Sequence, residues 1–290
     1  MKRIGRILFC LLPLLITIVL QNLITIPICG VTAVIIVLNH RGISFPELMN
    51  ELLSLLSTSS FIIFISMAYA IAALVIFGFW YRKKLAASQE RIAVRSAFHP
   101  WIVLSLLLLS VGLQYVVSYL MNFVGILRPD WMHSYTELID TAGIGTLSPL
   151  IIIYSIIIAP VSEELIFRGV TLGYAKKALS VTGAVCLQAV LFGIFHLNMI
   201  QGIYAAFLGL FLGYLREAGG SIAIPMLFHA FFNLFGSLAN DSMFYHAEHP
   251  FFFLLWLTVG VLLTYAGIFL FQHGIAVRDG NTKNKPQMES

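Results

Sequence analysis

Long apolar runs separated by short polar stretches organise this chain. A membrane-spanning helix needs about 20 mostly apolar residues, and the runs that approach this length are 7–38, 60–80, 100–126, 148–175, 180–197, 201–215, 221–239 and 251–272. The first is oversized: at 1.5 Å per residue it extends about 48 Å, against a hydrocarbon core of about 30 Å. Gln21, Asn22, Pro27 and Gly30 mark where it would tilt, kink or lie along the surface. Splitting it would leave two pieces too short to cross. The pattern therefore predicts an all-α fold, a polytopic membrane helix bundle of about eight transmembrane helices.

Composition agrees. The chain is 59% hydrophobic and 10% charged, where soluble domains carry roughly 25% charged residues. Charge placement then gives orientation. With eight crossings and the N-terminus inside, every basic residue except Arg41, Arg128 and Arg168 falls on the inner face. The positive-inside tendency thus predicts cytoplasmic N- and C-termini. It also accounts for the net charge of +4, so no nucleic-acid partner is needed. The basic start MKRIGR resembles a secretory signal, but no small-residue cleavage site follows, which predicts an uncleaved first span. Cys10, Cys29 and Cys186 lie in apolar stretches without CxxC spacing, predicting neither a disulfide framework nor a cysteine metal site.

Against this background the polar residues inside spans stand out. A central Asp, Lys or Arg costs about 2.5–3.5 kcal/mol on insertion scales. The run "APVSEELIFRG", residues 159–169, nevertheless places Glu163, Glu164 and Arg168 in the fourth span. Glu164 and Arg168 are four apart and share a helix face, so they can pair. Glu163 points about 100° away and needs another partner. His196 in the fifth span, and His229 with Asn233 one turn apart in the seventh, come to comparable depth, about 14–24 Å from the inner boundary. Phe192, one turn before His196, is positioned to wall its imidazole from lipid.

Such a group can do chemistry. A carboxylate in a low-dielectric site can serve as general base towards water, and an imidazole can hold that water. A second imidazole and an amide can donate to an oxyanion. Glu163, His196 and His229 are equally the donor types of an open zinc site. Each residue also has a plainer role: an intramembrane His or a Glu–Arg pair can simply join helices, and Gln188 fits that description. His40, His99, His133, His246, His249 and His273 lie near span ends, where interfacial water suffices, and are given no role.

Three motifs, each on its own predicted span, then connect these residues. "EELIFR" at 163–168, "FGIFH" at 192–196 and "HAFFN" at 229–233 resemble the EExxxR, FxxxH and HxxxN/D motifs of the CAAX protease and bacteriocin-processing (CPBP, or Abi) intramembrane endopeptidases. The resemblance covers roughly 150–240. It implies that Glu163 activates water and that His196 helps to hold it. It further implies that His229 and Asn233 stabilise the oxyanion, while Glu164 and Arg168 brace the site. The family has been read as both metallo- and glutamate-type. With no HExxH signature in the chain, a metal-free glutamate mechanism is favoured here and zinc is the alternative.

The expected organisation is helices one to three over 1–147, a catalytic core of helices four to seven over 148–240, a final span over 241–273 and a polar cytoplasmic tail over 274–290. The implied partners are membrane lipid and a peptide or lipidated-protein substrate, in a multi-pass protein of a bacterial plasma membrane. Nothing in the sequence sets an oligomeric state. Two other classes compete. A non-catalytic immunity or scaffold protein would keep its protective effect in Glu163→Ala. A proton-coupled transporter should show paired repeats with broken helices, and the charges here crowd into the C-terminal half.

Overall fold

The computed structural model describes residues 3–40, 42–143, 148–238 and 249–283, and all regular structure among them is helical. Lys2, Arg41, His246, Lys285, the tail from residue 284 and the 240/241 boundary lie outside the described residues. The elements are α1 (Arg3–Phe9), α2 (Leu12–Asn39), α3 (Phe45–Leu56), α4 (Ser59–Lys84), α5 (Pro100–Leu127) and α6 (Pro129–Ala142). They continue with α7 (Pro149–Ala175), α8 (Val181–Phe195), α9 (Met199–Gly219), α10 (Ala223–Leu238) and α11 (Pro250–Lys283).

Local chemistry sets the ends. Pro13, Pro46, Pro100, Pro129 and Pro149 stand in first turns, where a missing N–H costs nothing. Ser148, Ser180 and Asn198 cap α7, α8 and α9 by accepting backbone N–H groups at 3.3, 3.2 and 3.1 Å. Gly143 and Gly220 close α6 and α9 in the left-handed conformation, φ +66° and +81°.

Six helices among the described residues are long and apolar enough to cross a membrane: Gly5–Asn39, α4, α5, α7, α9 and Pro250–Gly280. The protein is thus an integral, multi-pass membrane protein. The windows 180–197 and 221–239 are instead α8 and α10, of 15 and 16 residues, about 22 and 24 Å long. Both fall short of the hydrocarbon thickness because their windows counted capping turns as helix. Leu197, which follows His196, takes φ +54° and breaks the first window outright. The oversized first run is broken only at Cys10–Leu11, and α2 continues through Pro27.

Two further helices were not predicted. In α3, Ser44 and Glu47 form a capping box: the Ser44 backbone N–H and hydroxyl donate to Glu47 Oε2 at 2.9 and 2.7 Å. These bonds hold the Glu47 carboxyl below its usual range, the hydroxyl contributing most. In α6, Arg128 pairs with Asp130 at 2.7 Å and lies over the Trp131 ring.

The core lies between α4, α5, α7, α8, α9 and α10, with Phe77, Leu109, Phe167, Phe192, Leu212 and Phe228 fully or almost fully buried. On its outer side α11 lies along α5. Gly260, Gly267 and Gly274 recur every seven residues and face Tyr115, Leu109 and Trp101–Ile102 so closely that a Cβ on any of them would crowd α5. Small residues at one seam let two helices approach in lipid, where no hydrophobic drive separates protein from solvent. The three cysteines are free. Cys10 is buried, Cys29 half-buried and Cys186 exposed, so the apolar context of the last two reflects lipid rather than protein.

Candidate active site

The fourth apolar run is one helix, but not a uniform one. Ile153–Ile158 and Leu165–Thr171 are wound in the wider π form, on either side of the α-helical stretch Ala159–Glu164 that carries both glutamates. Proline explains the first wide turn. The N–H of Ala159 reaches back five residues to the Tyr154 carbonyl. The next donor in that register would belong to residue 160, and Pro160 has none. The Ser155 carbonyl is left over, and Asn233 Nδ2 from α10 donates to it at 2.8 Å. In the second wide turn, Gln89 Nε2 donates to the Gly169 carbonyl at 3.1 Å and the Thr171 hydroxyl to the Ile166 carbonyl at 2.9 Å. Pro160 therefore does not end the helix. It widens it, and the side chains of Asn233, Gln89 and Thr171 bond to carbonyls of the two wide turns.

Glu164 and Arg168 form the expected pair, Arg168 Nη1 donating to Glu164 Oε1 at 3.0 Å with both side chains wholly buried. The same carboxylate oxygen is 2.9 Å from His229 Nδ1. On the far side of that imidazole, Nε2 lies 3.8 Å from Glu163 Oε2. A line of alternating groups thus runs Arg168, Glu164, His229, Glu163. Phe192 does more than screen His196. Its ring lies 4.3 Å beneath the Arg168 guanidinium and edge-on to both His196 and His229. Cation–π attraction offsets part of the cost of a guanidinium whose Nε and Nη2 have no hydrogen-bond partner. Gly209 of α9 makes room for it, since a Cβ there would stand 3.3 Å from Arg168 Nη2.

His196 ends α8 with Nδ1 2.8 Å from the Phe192 carbonyl. A carbonyl only accepts, so Nδ1 carries the proton and the neutral ring keeps its lone pair on Nε2. Glu163, His196, His229 and Asn233, from three helices, line one cavity of about 340 Å³, within the range of small-molecule sites. Glu164 and Arg168 stand behind it. Gln188, expected as helix glue, donates to the Gly209 carbonyl of α9 at 2.8 Å. None of the span-end histidines among the described residues lines the cavity.

Residues 145–235 match a family model described as type II CAAX prenyl endopeptidase Rce1-like. This segment is similar to the Rce1-like family. The three motifs, α7 to α10 apart from its last turn, and all four polar residues of the cavity wall named above lie within the Rce1-like segment, which marks a protease of the membrane-endopeptidase kind. Comparison with curated proteins and with solved structures gave no match.

Several cavity residues carried no motif. Tyr135 and Ile139 enter from α6, Gln114 from α5, Tyr154 from the first wide turn, and Gln201 and Tyr204 from α9. The available signal was a polar or hydroxyl-bearing side chain within an apolar run, strongest for Gln114. As for zinc, the ion takes three or more N, O or S donors about 2.0–2.3 Å away. Among the described residues no three His, Cys, Asp or Glu side chains are so grouped. As arranged, the donors do not fit a zinc cage.

Proposed function

We propose that the protein is an intramembrane endopeptidase that hydrolyses a peptide bond of a membrane-associated peptide or lipidated protein by a metal-free, glutamate-type mechanism. The observation that carries the reading is the common cavity of Glu163, His196, His229 and Asn233, backed by the buried Arg168–Glu164–His229 line. Water in the cavity donates one hydrogen to Glu163 and the other to the lone pair on His196 Nε2, which leaves its oxygen free to attack a carbonyl carbon. Glu163 takes the proton as the C–O bond forms. The oxyanion is met by the second Nδ2 hydrogen of Asn233, the first being bound to Ser155, and by an N–H of protonated His229 at Nε2. Glu164 fixes that ring through Nδ1. Glu163 then returns the proton to the departing amine as the C–N bond breaks, so one water is consumed per bond cut. Both termini lie on the basic, cytoplasmic face of a bacterial plasma membrane.

Comparative peptidomics of membranes carrying the wild type and Glu163→Gln tests this. Loss of a general base typically costs about 10²- to 10⁴-fold, so a set of cleaved peptides should disappear while the variant still inserts. Undiminished cleavage in Glu163→Gln would refute the assignment. Cleavage abolished by a chelator, with stoichiometric zinc by elemental analysis, would overturn the metal-free mechanism.

A further inference from the structure

A second cavity lies away from the candidate active site, between the α4–α5 connection, the α9–α10 turn and the end of α11. Its volume is about 680 Å³, and its wall carries Arg91, Arg95 and Arg278 against the single carboxylate of Asp279. Two of the arginines are anchored in place. Arg278 is 5% exposed and donates from Nε to Asp279 at 2.9 Å and from Nη1 to the Gly219 carbonyl at 2.8 Å. Arg91 joins the same turn through its backbone N–H to the Gly220 carbonyl at 2.8 Å and through its guanidinium to the Glu217 carbonyl. These contacts leave Arg278 Nη2 uncommitted. Arg95 is exposed, with no ion pair among the described residues. Three guanidiniums facing one carboxylate make a cavity that selects an anion, and planar forks match phosphate oxygens in particular.

The surroundings indicate where that phosphate comes from. The cavity joins the ends of α4, α5, α9 and α11, four helices long and apolar enough to cross a membrane. The 3-10 turn Val94–Phe98 that presents Arg95 also exposes Val94 and Phe98, and Trp101 follows at the start of α5, 44% exposed and edge-on to His273. A soluble phosphate has no use for apolar side chains beside the arginines, whereas a lipid brings acyl chains to that depth, where tryptophan is also favoured. Basic pockets between spans are known acceptors of anionic headgroups.

We infer that the Arg91–Arg95–Arg278 cavity binds the phosphate headgroup of an anionic membrane lipid. The lipid thereby fastens the α4–α5 connection to the α9–α10 turn. That connection also holds Gln89 on the Gly169 carbonyl of α7, and Glu90 in a buried cluster with Arg216, Tyr81 and the Ile222 N–H.

Purified full-length protein in a neutral detergent, titrated with dioctanoyl phosphatidylglycerol, dioctanoyl phosphatidylcholine and inorganic phosphate, tests this by native mass spectrometry and thermal unfolding. Phosphatidylglycerol should bind at least tenfold more tightly than phosphatidylcholine and raise the unfolding temperature. Arg95→Gln, exposed and free of structural bonds, should weaken it about fivefold, and Arg278→Gln at least as much. Lys84→Gln, on the same face but outside the cavity, should leave it unchanged. An equal loss in Lys84→Gln, or none in Arg95→Gln, would overturn the site. Inorganic phosphate binding as tightly as phosphatidylglycerol would overturn the lipid and leave a soluble anion.

Discussion

Replacing Asn233 by leucine removes the N–H that satisfies the Ser155 carbonyl, 2.8 Å away, while keeping side-chain volume nearly constant. Leaving a buried acceptor unmet costs about 1–3 kcal/mol. Ser155 is only half-buried and lines the 340 Å³ cavity, where water can partly replace the amide. The low end, about 1 kcal/mol, is therefore expected. The decisive measurement is a double-mutant cycle with Pro160→Ala. That change supplies a backbone N–H at the position whose lack leaves Ser155 unpaired, so Asn233 becomes redundant. In the Pro160→Ala background, Asn233→Leu should cost no more than about 0.3 kcal/mol, giving a coupling of roughly 0.7 kcal/mol or more. Unfolding in mixed SDS and neutral-detergent micelles, followed by tryptophan fluorescence and far-UV circular dichroism, reads this without depending on catalysis. An Asn233→Leu cost that is the same with and without Pro160 would refute the link between the proline and the amide.

Glu164→Gln should be more damaging than any change at Glu163, because it leaves the wholly buried Arg168 uncompensated. A loss of about 3–5 kcal/mol is expected by the same unfolding assay, with partial recovery in Glu164→Gln/Arg168→Met. At α3, the Ser44–Glu47 bonds lower the glutamate pKa. Their contribution is complete above the ordinary carboxylate range and is lost as pH falls through the lowered value. An isolated 42–58 peptide in lipid micelles should therefore lose helicity on acidification, less so in Glu47→Gln, whose helicity should be nearly flat with pH.

Much of the candidate site was legible as spacing. Glu164 and Arg168 had to share a face because they are four apart on a helix, and they pair at 3.0 Å. Apolar runs located α7 to α10, since burial in lipid or protein leaves the same trace in sequence. That ambiguity also misled: a window cannot separate a spanning helix from a shorter helix plus its capping turns, so α8 and α10 were read too long. Amphipathic α3 and α6 leave no long apolar run, and only Ser44–Glu47, Pro129 and Gly143 signal their ends.

The sequence by itself determined the helical class, the membrane environment, the Glu164–Arg168 pair and the set of polar groups available for chemistry, because each follows from composition or from spacing along a single helix. Only the tertiary structure decided what those groups face. That His229 stands between the two glutamates, that Asn233 gives one hydrogen to a carbonyl freed by Pro160, and that Phe192 carries Arg168 all depend on how separate helices meet. Crossing geometry is set by packing across many residues at once, and no local pattern in the chain encodes it.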